Sequence, residues 1–363
     1  MKKYNFGAGP STISDEVYRK LSKSIIKLND YDLSILEISH RSNIFDDILE
    51  KTIYLFRKLL NINNDYSVLF LSGGATKQFF MIPYNFLENI KKNECAGYID
   101  SGFWSYKAIN YAKYFGNIDV IASSRHDNYK FIPKKYKILF DKKKYKYLHF
   151  TSNNTIVGTQ FKQIPKINNI PIISDMSSDI LSKFINIRDF DMIYASSQKN
   201  IGPLGVTIVI IKKEFAKSIS NNIPGIMNYK NHINSKSVMN TPNIFAIYGI
   251  MLNLEWLKNK GGIKIIEEEN NLKAKLLYSE IDRNSMLEGT VNIEDRSFMN
   301  ICFNIKNKDL KDKLVMLLNE NNIVGFLGHK LHPYFRISLY NAINLHQVKF
   351  LIKILQLFEK KYS

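Results

Sequence analysis

Cysteine is nearly absent from this chain, whose 363 residues include two, Cys95 and Cys302. Neither has a metal-type spacing to another ligand, so a disulfide framework and a thiolate metal centre find no support and a reducing compartment is expected. Long apolar runs are missing as well. No stretch is long and apolar enough to span a bilayer, and Met1-Lys2-Lys3 runs into Tyr4-Asn5-Phe6 instead of an apolar signal core. A cytoplasmic protein with no membrane partner is expected. Internal repeats and low-complexity linkers are not evident either.

Acidic residues are in deficit, 33 against 51 basic ones, for a net charge of +18. The basic residues are nevertheless scattered. The densest run, Lys134-Lys135-Tyr136-Lys137 with Lys142-Lys143-Lys144-Tyr145-Lys146, contains no recognised binding motif. Charge without a motif supports only non-specific binding, so nucleic acid is not an expected partner. Abundant Lys, Asn and Ile throughout read more simply as a biased codon pool. Within that pool arginine is scarce, eight of the 51 basic residues. An Arg at a candidate site therefore suggests that guanidinium geometry matters there, and Arg41 and Arg336 are the two to follow.

What the chain does contain is an α/β alternation over much of its first 215 residues. Helical patterns cover Asp15 to Leu28, Ile44 to Leu60 and Gln78 to Leu87; strand patterns cover Ser67 to Leu71, Gly97 to Ile99, Asp119 to Ile121 and Tyr147 to Phe150. Beyond Asn243 a long helix runs to a break at Gly261-Gly262, and a second spans Ile263 to Glu280. The strands Met299 to Ile305 and Phe335 to Leu339, a helix near Leu310 to Asn319 and a last helix to Lys360 complete the chain. The expected architecture is α/β, with a large domain (16–260) on a mostly parallel seven-stranded sheet flanked by helices. A smaller α+β C-terminal domain (261–363) follows, to which residues 1–15 return.

The chemistry is concentrated at two strand ends. Ile170-Pro171-Ile172-Ile173 leads into Asp175, and Met192-Ile193-Tyr194-Ala195 leads into Lys199. In an α/β sheet the carboxyl ends of neighbouring strands share one crevice, so both side chains can address the same ligand. An amine that forms a Schiff base and a carboxylate that keeps a pyridine nitrogen protonated are what pyridoxal phosphate requires. A lysine is ordinarily a solvated surface charge. Lys199 differs because it lies between an apolar strand and the small-residue run Gly202-Pro203-Leu204-Gly205, where desolvation lowers an amine's pKa.

Three further strand ends converge there. Ser72-Gly73-Gly74-Ala75-Thr76-Lys77-Gln78 follows a strand and opens a helix, and small residues at a helix N-terminus let backbone N–H groups approach a phosphate. Alone this is a weak signal, since such junctions are often tight turns. Trp104, in Asp100-Ser101-Gly102-Phe103-Trp104, is placed to stack on a pyridine ring or to pack in the core. Thr155 lies just past the strand ending at Phe150 and is within reach of a ring hydroxyl.

At this point the chain resembles the phosphoserine aminotransferase family, of the class V aminotransferase group and the aspartate-aminotransferase-like fold type I. The matching stretches are Asn5 to Pro10, Glu37 to Arg41, Gly73 to Phe79, Asp100 to Trp104, Gln198 to Pro203, Asn240-Thr241-Pro242 and Arg336 to Ala342. They occur in the same order and cover nearly the whole chain. The resemblance implies pyridoxal 5'-phosphate linked to Lys199, with Asp175 on its pyridine nitrogen and Trp104 stacked on its ring. It puts Ala75, Thr76 and Gln198 on the phosphate and Thr155 near the ring hydroxyl. It further implies a homodimer in which Asn240 and Thr241 reach the neighbouring subunit's phosphate.

For substrates the resemblance implies L-glutamate and a phosphorylated 2-oxo acid, 3-phosphohydroxypyruvate, giving O-phospho-L-serine and 2-oxoglutarate. The phosphorylated four-carbon keto acid of vitamin B6 synthesis remains open as a second substrate. Arg336 would take the α-carboxylate, and His40, Arg41, His329 and Lys330 the distal anion. There is one departure: the family usually has His-Arg before its final strand, followed by small residues, where this chain has His329-Lys330-Leu331-His332-Pro333-Tyr334. Lysine keeps the charge and loses the bidentate fork. Two other readings stay open, a class V reaction on serine or alanine with glyoxylate, and a basic RNA- or membrane-surface-binding protein that retains the fold. The distal cations speak against the first, because alanine and serine carry no second anion. A desulfurase is disfavoured because neither cysteine sits in an evident catalytic loop.

Overall fold

The structure, a computed structural model, describes residues 3–88, 91, 93–138, 144–167, 170–330 and 332–363. Lys142 and Lys143 of the basic run and Leu331 of the departing loop lie outside them. Seven strands form the main sheet: β1 (Tyr66–Ser72), β2 (Glu94–Asp100), β3 (Ile118–Ser123), β4 (Lys144–Thr151), β5 (Ile172–Asp175), β6 (Met192–Ser196) and β7 (Val206–Lys212), in the order β1-β7-β6-β5-β4-β2-β3. Helices cover both faces, so the inner strands are apolar runs instead of alternating ones. In β7, Val206 through Ile211 are all buried. The expected parallel sheet has one reversed member, since β7 runs antiparallel to both β1 and β6. Only β7 follows its neighbour β6 too closely in sequence for a crossover helix, and a short return requires the antiparallel sense.

Several helices start where a side chain accepts a free N–H group. Ser14 caps α1 (Asp15–Ile26) through Val17 N–H, and Ser42 caps α2 (Asn43–Leu60) through Phe45 N–H. The next two, α3 (Thr76–Leu87) and α4 (Phe103–Ala112), follow β1 and β2 directly. Asn243 caps α5 (Ile244–Asn259), and the Gly261-Gly262 pair, both at positive φ, separates it from α6 (Gly262–Arg283).

A second, antiparallel sheet combines β8 (Leu287–Gly289), β9 (Asn300–Ile305), β10 (Leu327–His329) and β11 (His332–Ser338) in the order β8-β9-β11-β10. It packs with α6, α7 (Lys311–Glu320) and α8 (Leu345–Tyr362) in a core of its own, which includes Phe6 from the N-terminal segment. Tyr4–Asn5 pairs in parallel with Ile323–Val324, so the start of the chain returns to this unit.

The two cores are tied close to Lys199. The amine of Lys273, 1% exposed on α6, donates to the carbonyls of Leu339, Tyr340 and Ile343 at 3.2, 3.2 and 2.8 Å. Three acceptors satisfy an ammonium completely; burial pushes this group down to about 7, with Lys260 adding to the fall and Glu269 opposing it. The turn so held carries Asn341, whose N–H donates to Asn200 Oδ1 at 3.0 Å. Asn200 is the residue after Lys199.

Candidate active site

Six of the seven strands of the main sheet point the same way, and their carboxyl ends open on a cleft of about 490 Å³. Its floor is Lys199 and Asp175, 9% and 5% exposed. Asp175 is the last residue of β5 itself, not a residue beyond it, and pairs in register with Thr151 and Tyr194. Its Oδ1 accepts the Ser177 N–H at 2.9 Å. Burial pushes the carboxyl upward, opposed by Ser177 and by Lys199. The Lys199 amine donates to Thr155 Oγ1 at 2.6 Å. Burial lowers it to about 8, Asp175 pulling the other way and Arg336 adding to the fall. An amine in that range carries an appreciable nucleophilic fraction near neutrality, which an exposed lysine does not.

The walls come from the other strand ends. Gly73, at φ +99, turns the chain out of β1, and α3 then starts without a side-chain cap. A Cβ on Gly73 or Gly74 would meet nothing within 4 Å, so an anion can approach the bare helix end. After β2, Gly102 lets α4 start tightly against Asn154: a Cβ there would stand 2.3 Å from Asn154 Oδ1. This close approach places Trp104 on the cleft wall with its ring 6.4 Å from that of Phe79. Thr151 also lines the cleft, and its buried Oγ1 has no hydrogen-bond partner among the described residues.

Ala75, Thr76, Trp104, Thr155, Asp175, Gln198 and Lys199 therefore meet in one cleft. Arg336, on β11, comes to its edge, where Nη1 donates to the Thr155 carbonyl at 3.4 Å while Nε finds no partner among the described residues. No described carboxylate pairs with this guanidinium, whereas Arg125, Arg283 and Arg296 pair with Asp100, Glu280 and Asp282. His329 lies with its ring 5.2 Å from Phe103, and Lys330 beside it is exposed. His40, Arg41, Asn240 and Thr241 do not line the cleft of their own chain; Arg41, Asn240 and Thr241 are exposed. Residues that the sequence reading missed are Thr151, Asn153, Ser177 and Ser178. The sequence carries little signal for them, because Ser177-Ser178 after Asp175 differs little from any polar turn.

The amine, the carboxylate, the flat indole and the uncapped helix end suit pyridoxal phosphate in charge and shape. They define an enzyme site for an aldehyde cofactor. The class-V aminotransferase family matches residues 3–351, and the chain belongs to that family. It is 46% identical to a phosphoserine aminotransferase of Flavobacterium psychrophilum over 362 residues, 99% of this chain and 100% of the relative. A phosphoserine aminotransferase of Bacteroides thetaiotaomicron is 44% identical, with 99% of each chain covered. Among solved structures, phosphoserine aminotransferase from Bacillus circulans subsp. alkalophilus superposes with a TM-score of 0.95 at 35% identity, covering 100% of this chain and 99% of that one. Phosphoserine aminotransferase from Trichomonas vaginalis, solved with pyridoxal phosphate bound, gives 0.91 at 28% identity over 98% of this chain and 100% of that one.

Proposed function

We propose that this chain, as a cytoplasmic homodimer, transfers the amino group of L-glutamate to 3-phosphohydroxypyruvate, giving O-phospho-L-serine and 2-oxoglutarate. The observation that carries this reading is the buried Lys199 amine, lowered to about 8, facing a buried Asp175 in the cleft. Full-length identities of 42–46% to phosphoserine aminotransferases support the substrate assignment. Pyridoxal phosphate in this cleft supplies the electron sink that makes the substrate's α-proton acidic. Lys199 holds the cofactor and moves the proton from the α-carbon. Asp175 faces the pyridine nitrogen, Trp104 covers the ring and excludes water, and Thr155 orients the Lys199 amine. Ala75, Thr76 and Gln198 receive the phosphate, joined by Asn240 and Thr241 of a second copy. Their exposure outside their own cleft supports that exchange. Residues 16–260 form the cofactor domain, and 261–363 with 1–15 the smaller one.

Arg336 binds the α-carboxylate, and His40, Arg41, His329 and Lys330 serve the distal anion. The test is the absorbance of the cofactor-loaded protein titrated with O-phosphoserine and, separately, with serine. Phosphoserine should convert the cofactor to its amine form at concentrations at least about tenfold below serine, one charge-assisted contact being worth that much. Equal performance would remove the distal-anion assignment, and no conversion by either would remove the aminotransferase itself.

A further inference from the structure

Behind Asp175, on the same face of the sheet, stands a row of polar side chains that the reaction does not use. Tyr194 on β6 is the register partner of Asp175, so the two side chains are neighbours on one face, and the carboxylate adds to the burial that raises the Tyr194 hydroxyl. On the other side of β5, His149 on β4 places Nε2 2.9 Å from that hydroxyl. Its imidazole stacks on Tyr98 with centroids 4.8 Å apart. Tyr194 is fully buried and His149 is 1% exposed. Polar groups are costly at such depth unless each serves another.

The proton positions follow from what is left without a partner. Burial lowers the imidazole to about 3, so it is neutral and has a single N–H. Nδ1 has no hydrogen-bond partner among the described residues. A proton there would be an orphaned buried donor, which folded proteins avoid more strictly than a bare lone pair. The proton therefore sits on Nε2 and is donated to the Tyr194 oxygen. The Tyr194 hydrogen is then free for Asp175, which also accepts the Ser177 N–H at 2.9 Å.

We propose that His149 and Tyr194 form a buried relay that positions the Asp175 carboxylate and holds it anionic for the pyridine nitrogen of the cofactor. This rests on the reading that puts that nitrogen against Asp175. Burial alone favours a neutral Asp175. A neutral carboxyl cannot keep the pyridine protonated, so each donor to the carboxylate preserves the electron sink. Tyr194 and His149 are positioning residues, since neither touches the substrate.

The test compares the cofactor-free protein's affinity for pyridoxal phosphate with that for the analogue carrying carbon in place of the pyridine nitrogen. It is run on the unmodified chain, Tyr194→Phe, His149→Leu and His149→Gln, with kcat and KM for O-phosphoserine measured alongside. The unmodified chain should prefer pyridoxal phosphate by about tenfold or more. Tyr194→Phe should lose most of that preference and about tenfold in kcat, with KM unchanged. His149→Leu should lose about threefold in both, and His149→Gln, whose amide N–H reaches the same oxygen, should recover most of it. Unchanged preference and kcat in Tyr194→Phe would overturn the relay. Equal losses in His149→Leu and His149→Gln would also overturn it, reducing His149 to volume; this pair decides the matter even if Tyr194→Phe folds poorly. An unmodified chain that does not distinguish the two probes would overturn the placement of the pyridine nitrogen at Asp175, and the relay's role with it.

Discussion

Lys199→Ala is expected to lower turnover by about ten-thousand-fold or more, because one amine performs two tasks. In the proposed reaction it carries the cofactor between turnovers, and it moves the proton at the substrate's α-carbon. No neighbour can substitute. The groups that act on it are Thr155 at 2.6 Å, Asp175, Asp179 and Arg336, and none of these is an amine or an imidazole. The cavity should survive the change, since Asp175 keeps its Ser177 N–H and α3 keeps its free end. The variant should therefore still bind pyridoxal phosphate non-covalently while single-turnover absorbance with O-phosphoserine shows almost no conversion. In the unmodified chain, recombination with pyridoxal phosphate should quicken as pH rises through about 8 and level off above it, because only the unprotonated Lys199 amine attacks the aldehyde. A pH-independent rate, or a Lys199→Ala protein that transaminates normally, would remove Lys199 from the chemistry.

That Lys199 and Asp175 are legible in the sequence follows from one-dimensional signals. Each follows a short apolar run, and Lys199 is bracketed by a second run and a small-residue turn. The ends of α2, α3 and the main-sheet strands are legible for the same reason, to within a few residues. Tyr194 and His149 are not. A tyrosine in a strand is an ordinary β-former, and its function depends on which residue stands opposite on the next strand, 19 positions away in the case of Asp175. Lys273 is illegible in the same way: among 43 lysines nothing local separates it, and its three carbonyl partners lie 66 to 70 residues downstream. Asn240, Thr241, His40 and Arg41 show a different limit, because one copy of the chain does not bring them to its own cleft. For arginine, scarcity is informative only in part. Arg125, Arg283 and Arg296 are committed to carboxylates within the fold, and it is Arg336, with no carboxylate among the described residues, that the site leaves available.

Arg336 should accordingly show the second large effect. Every amino donor and acceptor of the proposed reaction carries an α-carboxylate, so the loss from Arg336→Ala should be alike for glutamate and O-phosphoserine, roughly a thousandfold in kcat/KM. Arg336→Lys keeps the charge and loses the planar fork, and should recover part of this, remaining about ten- to a hundredfold below the unmodified chain. Lys330 supplies the contrast. It is exposed at the turn between β10 and β11, and the proposed reaction assigns it to the distal anion. Lys330→Ala should weaken O-phosphoserine while leaving serine unchanged, and Lys330→Arg, which installs the fork usual in the family, should tighten O-phosphoserine alone. The four variants thus separate the two ends of the substrate. If Arg336→Ala instead spared glutamate and penalised O-phosphoserine, the guanidinium would belong to the distal anion. The substrate would then lie in the cleft with its ends exchanged.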